Sequence, residues 1–532
     1  MTMYNQSILI LIRTDASLKI GSGHVMRCLT LAEGLRGFGA DVRFVCRAYP
    51  GNLNDVIGKK EFKVHELSAL DLYEGREHYT EVVEDYTHWF NVTQEQDSVE
   101  TLDVLDSMCP DWLIVDHYGL DCNWEKRLRP HVHKLMVIDD LANRLHDCDL
   151  LLDQNYFGDG ENRYEGLVPP TCTQLLGTRY ALLRPEFAEA RKKLRRRTGE
   201  IRCVFVFFGG TDPENFTGCA LAALSDPELA RLEVDVVLGK TNPNRASIER
   251  QVATRPNTNL YVQVKNIAEL MVRADLALGA GGATTWERLC LGLPSIVTIL
   301  SENQRKFSET LDKAGLQICL GNAKELSVSD LKFAILKRLK TVESNRRQSE
   351  QCLEVVDGKG TGITKEMILK GIPVKQWGIR SASSADCEFY WHWVNDPEVR
   401  RNAFNSETIS WEDHQEWFHN KLNDSTSTLL LFESHLGPIG QVRFEKSGQD
   451  FKIDFSIARQ FRGMGLGEQL LSEGIKLFLE NNQGSKLVSE VKEENQASKK
   501  IFKNIGFREM PLSHRVKNMK KRLQLHLSPK TR

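Results

Sequence analysis

The octad Gly21-Ser22-Gly23-His24-Val25-Met26-Arg27-Cys28 joins three kinds of group that handle anions: backbone amides bared by glycine, a titratable imidazole, and a guanidinium three residues further on. The run Ile8-Leu9-Ile10-Leu11-Ile12 before it reads as a buried strand, and Val25, Leu29, Ala32 and Leu35 after it recur at helical spacing. The glycines therefore sit on a strand-to-helix turn, where free N–H groups and the positive end of a helix dipole favour an anionic ligand. His24 is the candidate catalytic base. The helix start and Arg27 both favour the uncharged imidazole, the form that takes a proton from water. Such a turn also serves simply to pack a helix on a strand, so the surrounding chain must decide between the two.

Elements of the right kind surround it. Up to about residue 190, strand candidates at 8–13, Asp41–Cys46, Trp112–Asp116, Leu135–Asp139 and Leu150–Leu152 alternate with helical patterns, which predicts a parallel sheet with crossover helices. Polar residues follow these strands: Asp116-His117-Tyr118, then Asp139-Asp140, then Asp153-Gln154-Asn155. In open α/β sheets that is where ligands bind, although turns and helix caps use the same residue types. The charged run Glu189–Arg197 reads as a solvated linker helix. The alternation then restarts with Cys203–Phe208, Leu232–Leu238, Asn259–Val264, Asp275–Leu278 and Ser295–Leu300. Gly209-Gly210 follows the first of these strands, and Gly281-Gly282-Ala283-Thr284-Thr285 opens a second glycine-rich helix start. Two doubly wound halves, 1–190 and 198–365, predict a two-lobed glycosyltransferase-B architecture. The glycine run Asp357–Gly362 reads as a closing loop, since no apolar strand precedes it.

From 376 to 532 the character changes to a third domain. Trp377, Phe389, Tyr390, Trp391, Trp393, Trp411, Trp417 and Phe418 read as the core of a small α+β fold, with some of them lining a substrate groove. Strands at Leu429–Phe432, Gly440–Phe444 and Phe451–Ile457 lead to Arg462-Gly463-Met464-Gly465-Leu466-Gly467 and a helix at Leu470–Leu479. A strand at Leu487–Val491 and a helix over Asn495–Phe507 follow, and the basic tail with Lys517, Lys520, Lys521 and Arg522 reads as a final strand and frayed end.

Residues 1 to about 365 resemble the UDP-sugar hydrolases of pseudaminic acid biosynthesis, which act on UDP-2,4-diacetamido-2,4,6-trideoxy-β-L-altropyranose. The segments that carry the likeness are RTDASLKIGSGHVMRCLTLA at 13–32, IVDHYGLD at 114–121, IDDLANRLHDCDLLLDQN at 138–155, FFGGTDPEN at 207–215, LGAGGATTWERLCLGLPSI at 278–296 and ENQ at 302–304. The resemblance implies direct, inverting attack by water with C–O cleavage, and His24 as base. It implies substrate contacts from Gly21, Gly23, Arg27, Asp116, Tyr118, Gly209 and Gly210. Gly281, Gly282 and Thr284 would hold the diphosphate, Glu287 would accept the ribose hydroxyls, and the amides of Asn303 and Gln304 would meet the acetamido groups. A transferase passing the sugar to another acceptor is the rival reading.

The R-x-x-G-x-G pattern of Arg462, Gly465 and Gly467, together with WVNDPEVR at 393–400, DHQEWF at 413–418 and NQASKKIFKNIGF at 495–507, resembles the Gcn5-related N-acetyltransferases that acetylate a 4-amino sugar in the same pathway. Acetyl-CoA is the implied co-substrate, held by Arg462, Gly463, Gly465, Gly467 and Asn495. Many relatives carry a tyrosine seven residues after the asparagine; here the position is Phe502, which has no proton to give. The acid stays unassigned, Glu490 is a possible base through water, and Tyr390 and His392 are unranked alternatives. A non-catalytic sensor remains open for this half.

The bulk numbers set outer limits. At 532 residues the chain calls for roughly three or four domains of about 150 residues. The net charge of −2 gives no pull toward nucleic acid or anionic membrane, and the partners expected are UDP-sugars and acetyl-CoA. Twelve cysteines with no C-x-x-C pair predict reduced thiols and no metal site. No apolar run approaches the ~20 residues of a membrane span and no signal peptide is recognisable, so a cytoplasmic location is expected.

Overall fold

Short aliphatic runs, most of them ending at an acid or a glycine turn, build the first sheet: β1 (Leu9–Thr14), β2 (Asp41–Arg47), β3 (Lys63–Leu67), β4 (Trp112–Asp116), β5 (Lys134–Ile138), β6 (Leu150–Asp153) and β7 (Thr173–Leu176). All pair in parallel, in the order β3-β2-β1-β4-β5-β6-β7. A second parallel sheet has the order β10-β9-β8-β11-β12-β13, from β8 (Cys203–Phe207), β9 (Glu233–Leu238), β10 (Thr258–Val262), β11 (Leu276–Ala280), β12 (Ser295–Ile299) and β13 (Ile318–Asn322). β4, β5, β6, β11 and β12 are buried along almost their whole length, as strands covered by helices on both faces must be. The expected pair of Rossmann-like lobes is thus present. Strand order reverses between β1 and β4 in the first lobe and between β8 and β11 in the second. Those two places open crevices beyond the carboxyl ends of the strands.

This computed structural model describes residues 8–69, 92–105, 108–158, 162–264, 266–371, 377–434, 437–510 and 522–527. They fall into two units, one of Leu9–Lys365 and one beginning at Glu366. In the first, the two lobes are laced together. Ala181, Leu183 and Phe187 from the connecting chain belong to the core of the second lobe. Thr178 Oγ1 donates to Val355 O, and Gln154 Oε1 accepts from Leu182 N.

Two expectations for the connections are corrected. The basic run at 189–197 is a solvated linker only in part. The helix Pro185–Lys192 starts it, but Arg191 and Arg197 turn inward. Arg191 donates to the carbonyls of Cys290, Leu353 and Val356, and Arg197 to those of Met271, Ala274, Leu291 and Gly292. Burial pushes the Arg197 guanidinium down to about 10, still charged at neutral pH. The glycine run at 357–362 is not only a closing loop, because Gly360 begins the helix Gly360–Lys370. That helix returns to the first lobe, where Thr361 Oγ1 donates to Leu183 O. A side chain at Gly360 would overlap the backbone of Tyr180 and Ala181.

The second unit is built on the sheet β14-β15-β16-β17-β18-β20-β19, with β14 (Trp377–Ser381), β15 (Ser427–Ser434), β16 (Gly437–Ser447), β17 (Asp450–Ile457), β18 (Leu487–Lys492), β19 (Arg508–Met510) and β20 (Arg522–Leu527). Every pairing is antiparallel except β17 with β18. Arg522 opens the final strand, whereas Lys517, Lys520 and Lys521 lie outside the described residues. Of the aromatic residues expected as core, Tyr390, Trp393 and Phe418 are buried, with His414 stacked on Phe418; Trp377, Trp391, Trp411 and Trp417 are half-buried, Trp391 edge-on against Trp411, and Phe389 is exposed, a correction.

Gly360→Ala is expected to destabilise the Leu9–Lys365 unit by more than 1 kcal/mol, because a backbone must shift. Gly362→Ala, which meets nothing within 4 Å, should instead stabilise it by about 0.5–1 kcal/mol. Thermal melts of the two variants check the pair.

Candidate active site

β1 and β4 lie side by side with Thr14 opposite Asp116, so the loop after β1 and the residues after β4 meet at the crevice of the first lobe. The loop ends in Ser22, which makes no side-chain cap to the helix Gly23–Arg36. The first amides of that helix are therefore left to other acceptors. A side chain at Gly21 or Gly23 would meet nothing within 4 Å, so the turn is open on that side.

Asp116 is the centre of the group. It is fully buried, and both of its oxygens are used. Arg27 Nη2 donates to Oδ1 at 2.7 Å and Arg27 Nε to Oδ2 at 2.7 Å, with Cys28 Sγ also donating to Oδ2. Oδ1 lies 2.6 Å from His24 Nδ1. Burial alone would raise the carboxyl, but Arg27 and His24 hold it well below the ordinary range. An ionised carboxylate can only accept, so the proton of the 2.6 Å bond belongs to Nδ1. In the uncharged form of the ring the lone pair is then on Nε2. Tyr118 packs edge-on against the imidazole at 4.5 Å between centroids, and His24 is 7% exposed.

This geometry corrects two expectations. Arg27 and Asp116 do not present their polar atoms outward to a substrate; they face each other, and Arg27 Nη1 reaches on to Asp140 Oδ2 at 2.9 Å. The charge of Arg27 is compensated by these two acids, so Asp116 rather than the helix dipole governs where the imidazole carries its proton. Tyr118 is buried, and burial together with Asp140 pushes its phenol up.

A second buried layer, not foreseen from sequence, supports the loop. Arg13 donates to both oxygens of Asp15 and of Asp97, and Arg47 also donates to Asp97. Asp97 is held at about 2 by these arginines against the effect of burial. His117 accepts from Gly119 N through Nδ1, and burial pushes it down to about 3, so it is neutral. Asp139 and Asp153 share the hydroxyl of Tyr164. The only sequence signal for the layer was the presence of arginine inside apolar strands, at Arg13 and Arg47.

In the second lobe the turns after β8 and β11 flank the other crevice. Gly210 O accepts from Gly239 N, which ties the Gly209-Gly210 turn to the end of β9. Gly281 sits where any side chain would overlap Ser308 Oγ, and its N–H is spent on Thr298 O. Gly281 is thus a packing glycine, and its amide is not available to a phosphate. The first amides with an intrahelical acceptor are those of Thr285 and Trp286, which leaves Gly282, Ala283 and Thr284 at the open end. Arg288 lies beneath, 2% exposed, donating to Ala280 O, Thr284 Oγ1 and Thr285 Oγ1. Gln304 is brought over this turn, its Oε1 accepting from Leu300 N and its Nε2 3.7 Å from where a Cβ of Gly282 would stand. Asn303 lies on the adjacent turn, with Oδ1 accepting from Ser301 Oγ. Glu287 is largely buried. Oε1 meets Arg184 Nη2 at 3.3 Å, and Oε2 is buried with no hydrogen-bond partner among the described residues.

In the second unit β17 and β18 pair only at Phe451–Leu487 and Lys452–Val488 and then separate. Gly463 and Gly465 adopt φ of +80° and +75°, and Gly465 begins the helix Leu466–Asn481 with no side-chain cap. The bared amides fit a pyrophosphate. Gly467 is different: a side chain there would run into Ile501. Arg462 does not point freely outward, since it donates to Ile457 O and pairs with Asp396 and Glu398. Asn495 caps the helix Gln496–Asn504 by accepting from Ser498 N. Glu490 lies just past the last β17–β18 pair, 2.9 Å from Lys452 Nζ. Tyr390 is buried with its hydroxyl on Leu430 O, and His392 is exposed beside Glu388. Phe502 is core, packed against Phe455 and Phe507.

Comparison with known proteins agrees with this division. Residues 203–359 match the glycosyltransferase family 28 C-terminal domain, and residues 377–508 the acetyltransferase (GNAT) domain. The UDP-2,4-diacetamido-2,4,6-trideoxy-β-L-altropyranose hydrolase of Campylobacter jejuni is 28% identical over 310 residues, covering 58% of this chain and 98% of the relative. The spore coat polysaccharide biosynthesis protein SpsG of Bacillus subtilis is 24% identical over 65% of this chain and 93% of its own length. An uncharacterised protein of Methanocaldococcus jannaschii is 24% identical over 94% of this chain and 96% of its own, so it spans both units. Among solved structures, MurG of Acinetobacter baumannii aligns over 69% of this chain and all of its own, at 11% identity and a TM-score of 0.48. The two domain matches and the curated relatives support an enzyme of sugar biosynthesis in which a nucleotide-sugar module is fused to an acetyltransferase module. No described helix is long and apolar enough to cross a membrane.

Asp116→Asn is expected to cost about 3 kcal/mol, since it leaves the buried Arg27 guanidinium with Asp140 as its one remaining acid. Chemical denaturation checks it. The depressed His117 has a proton-linked signature. Between pH 6.5 and about 3 the unfolded chain takes a proton that the native imidazole does not, so stability falls as pH falls. His117→Gln should remove up to about 1.4 kcal/mol per pH unit of that slope. Asp153, raised to about 8 by burial and Asp140, opposes it above pH 4, so the measurement is the difference between variant and parent.

Proposed function

We propose that the Leu9–Lys365 unit hydrolyses UDP-2,4-diacetamido-2,4,6-trideoxy-β-L-altropyranose to UDP and the free sugar. We propose further that the unit beginning at Glu366 uses acetyl-CoA to N-acetylate the UDP-4-amino sugar that precedes it. The observation that carries the first reading is the Asp116–His24 bond, which puts the lone pair of the imidazole on Nε2. In this mechanism Nε2 takes a proton from water as its oxygen bonds the anomeric carbon. The bond from that carbon to the phosphate oxygen breaks, inverting the centre, and its electron pair leaves with UDP. UDP is a weak base, so no acid is needed to protonate it. The open amides at Gly282–Thr284, over the buried charge of Arg288, suit the charge that develops on the diphosphate. Glu287 Oε2 suits the ribose hydroxyls, and Gln304 Nε2 an acetamido carbonyl.

Acetyl-CoA supplies an activated acetyl thioester to the second unit. The chain's own part is to seat the pyrophosphate on the Gly463–Gly465 turn, to lay the carrier in the β17–β18 opening, and to take a proton from the sugar amine. Glu490, at that opening, is the base proposed through a water.

The glycosyltransferase match over 203–359 supports a second reading, sugar transfer to an acceptor other than water. Incubating the UDP-sugar with this protein alone separates them, because only a hydrolase yields free sugar and UDP. His24→Ala is expected to abolish that release while UDP binding, followed calorimetrically, changes by less than about threefold; undiminished turnover would refute the assignment. In the second unit, acetyl-CoA consumption with the UDP-4-amino sugar tests the activity, and a Glu490→Gln pH–rate profile identical to the parent's would remove Glu490 as base.

A further inference from the structure

Glu287 is held in an unusual way. Its carboxylate has one oxygen on Arg184 and the other buried with no partner among the described residues. A buried carboxylate oxygen without a donor is costly, so a donor from outside the chain is the natural complement. Burial pushes the Glu287 carboxyl up, against the pull of Arg184. The groups facing it are Arg184, Glu186 and Arg288. Arg288 is committed to Ala280, Thr284 and Thr285, whereas Arg184 reaches Glu287 directly.

Arg184 comes from the chain that joins the lobes, immediately before the helix Pro185–Lys192. Its guanidinium lies 5.2 Å from the centroid of the Phe187 ring and spans two acids, Nη1 to Glu186 Oε1 at 3.1 Å and Nη2 to Glu287 Oε1 at 3.3 Å. A rigid fork can hold two acceptors at once, which a lysine ammonium on a flexible stem does far less well.

We propose that Arg184 is a positioning residue for ribose recognition: it holds Glu287 through Oε1 and thereby presents Oε2 to the vicinal hydroxyls of a bound nucleoside diphosphate. The assignment rests on reading the Gly282–Thr284 turn as the nucleotide site. Two adjacent hydroxyls are donors of the right number and spacing for a carboxylate already fixed at one oxygen. Without Arg184 the buried carboxyl is left to take up a proton, and a protonated oxygen competes as a donor with the hydroxyls it should accept.

The test compares UDP with 2′-deoxy-UDP by calorimetry, using the full chain, its Arg184→Met, Arg184→Lys and Glu287→Gln variants. The parent should prefer UDP by about tenfold or more, the range of a hydrogen bond to a charged group. Glu287→Gln and Arg184→Met should bring the preference to about twofold, by weakening UDP while 2′-deoxy-UDP stays within about twofold of the parent; Arg184→Lys should fall between. If Arg184→Met does not fold, Arg184→Lys carries the comparison. An unchanged preference in the Arg184 variants, or equal weakening of both ligands, would overturn the positioning role while leaving the nucleotide site intact. Failure of the parent to bind UDP would overturn the nucleotide site and this assignment with it.

Discussion

One buried carboxylate organises the first lobe. Asp116 ends the strand beside β1, at the place where strand order reverses, and is shared between a guanidinium and an imidazole. A lone buried carboxylate would be expensive, and Arg27 compensates it while Asp140 takes the remaining arm of the arginine. The consequence for His24 is chemical as well as structural. A partner that cannot donate decides which ring nitrogen holds the proton, and it fixes the ring's orientation at the open end of the helix. Beneath it, the Arg13–Asp15–Asp97–Arg47 layer ties the loop after β1 to β2 and to the helix Gln94–Leu105. The loop that carries the glycines is thus anchored on a rigid base, with its amides left open.

The second lobe uses inward-turned cations differently. Arg288 satisfies oxygens of the Gly281–Thr285 turn from below, and Arg191 and Arg197 collect carbonyls at the ends of helices and loops. None of these three makes an ion pair of 4 Å or less with an acid among the described residues. Each turns a long side chain into a multi-acceptor brace, and the connecting chain becomes part of the second core. Arg184, at the start of the same segment, links that brace to Glu287.

Most of the secondary structure was readable because buried parallel strands are short continuous apolar runs. The strands that escaped, β3, β7, β13, β14 and β19, are all edge strands. An edge strand is half exposed and carries polar residues, as in Lys63-Val64-His65-Glu66-Leu67, so its pattern is hard to tell from a loop. The site was legible in part. The position of His24 on a glycine turn between strand and helix follows from local pattern, whereas Glu287 and Gln304 came from the family resemblance. The roles of Arg27 and Asp116 were misjudged because spacing shows that charges are close in sequence, not that they face each other across 89 residues. Gly281 was read as anion-binding, but its N–H is spent on Thr298 O and it packs against Ser308.

The sequence by itself determined the element types, the two doubly wound halves, the change of character after residue 376, and the positions of the glycine turns at strand ends. Those are consequences of local periodicity and of backbone conformations that only certain residues adopt. Only the tertiary structure decided which nitrogen of His24 carries the proton, that Arg27 and Asp116 neutralise one another, that Arg184 reaches Glu287 from the joining chain, and that Tyr390 is core. These depend on which charges are brought into contact away from water. In that setting an ion pair or an orphaned oxygen has consequences that the same residues, solvated, would lack.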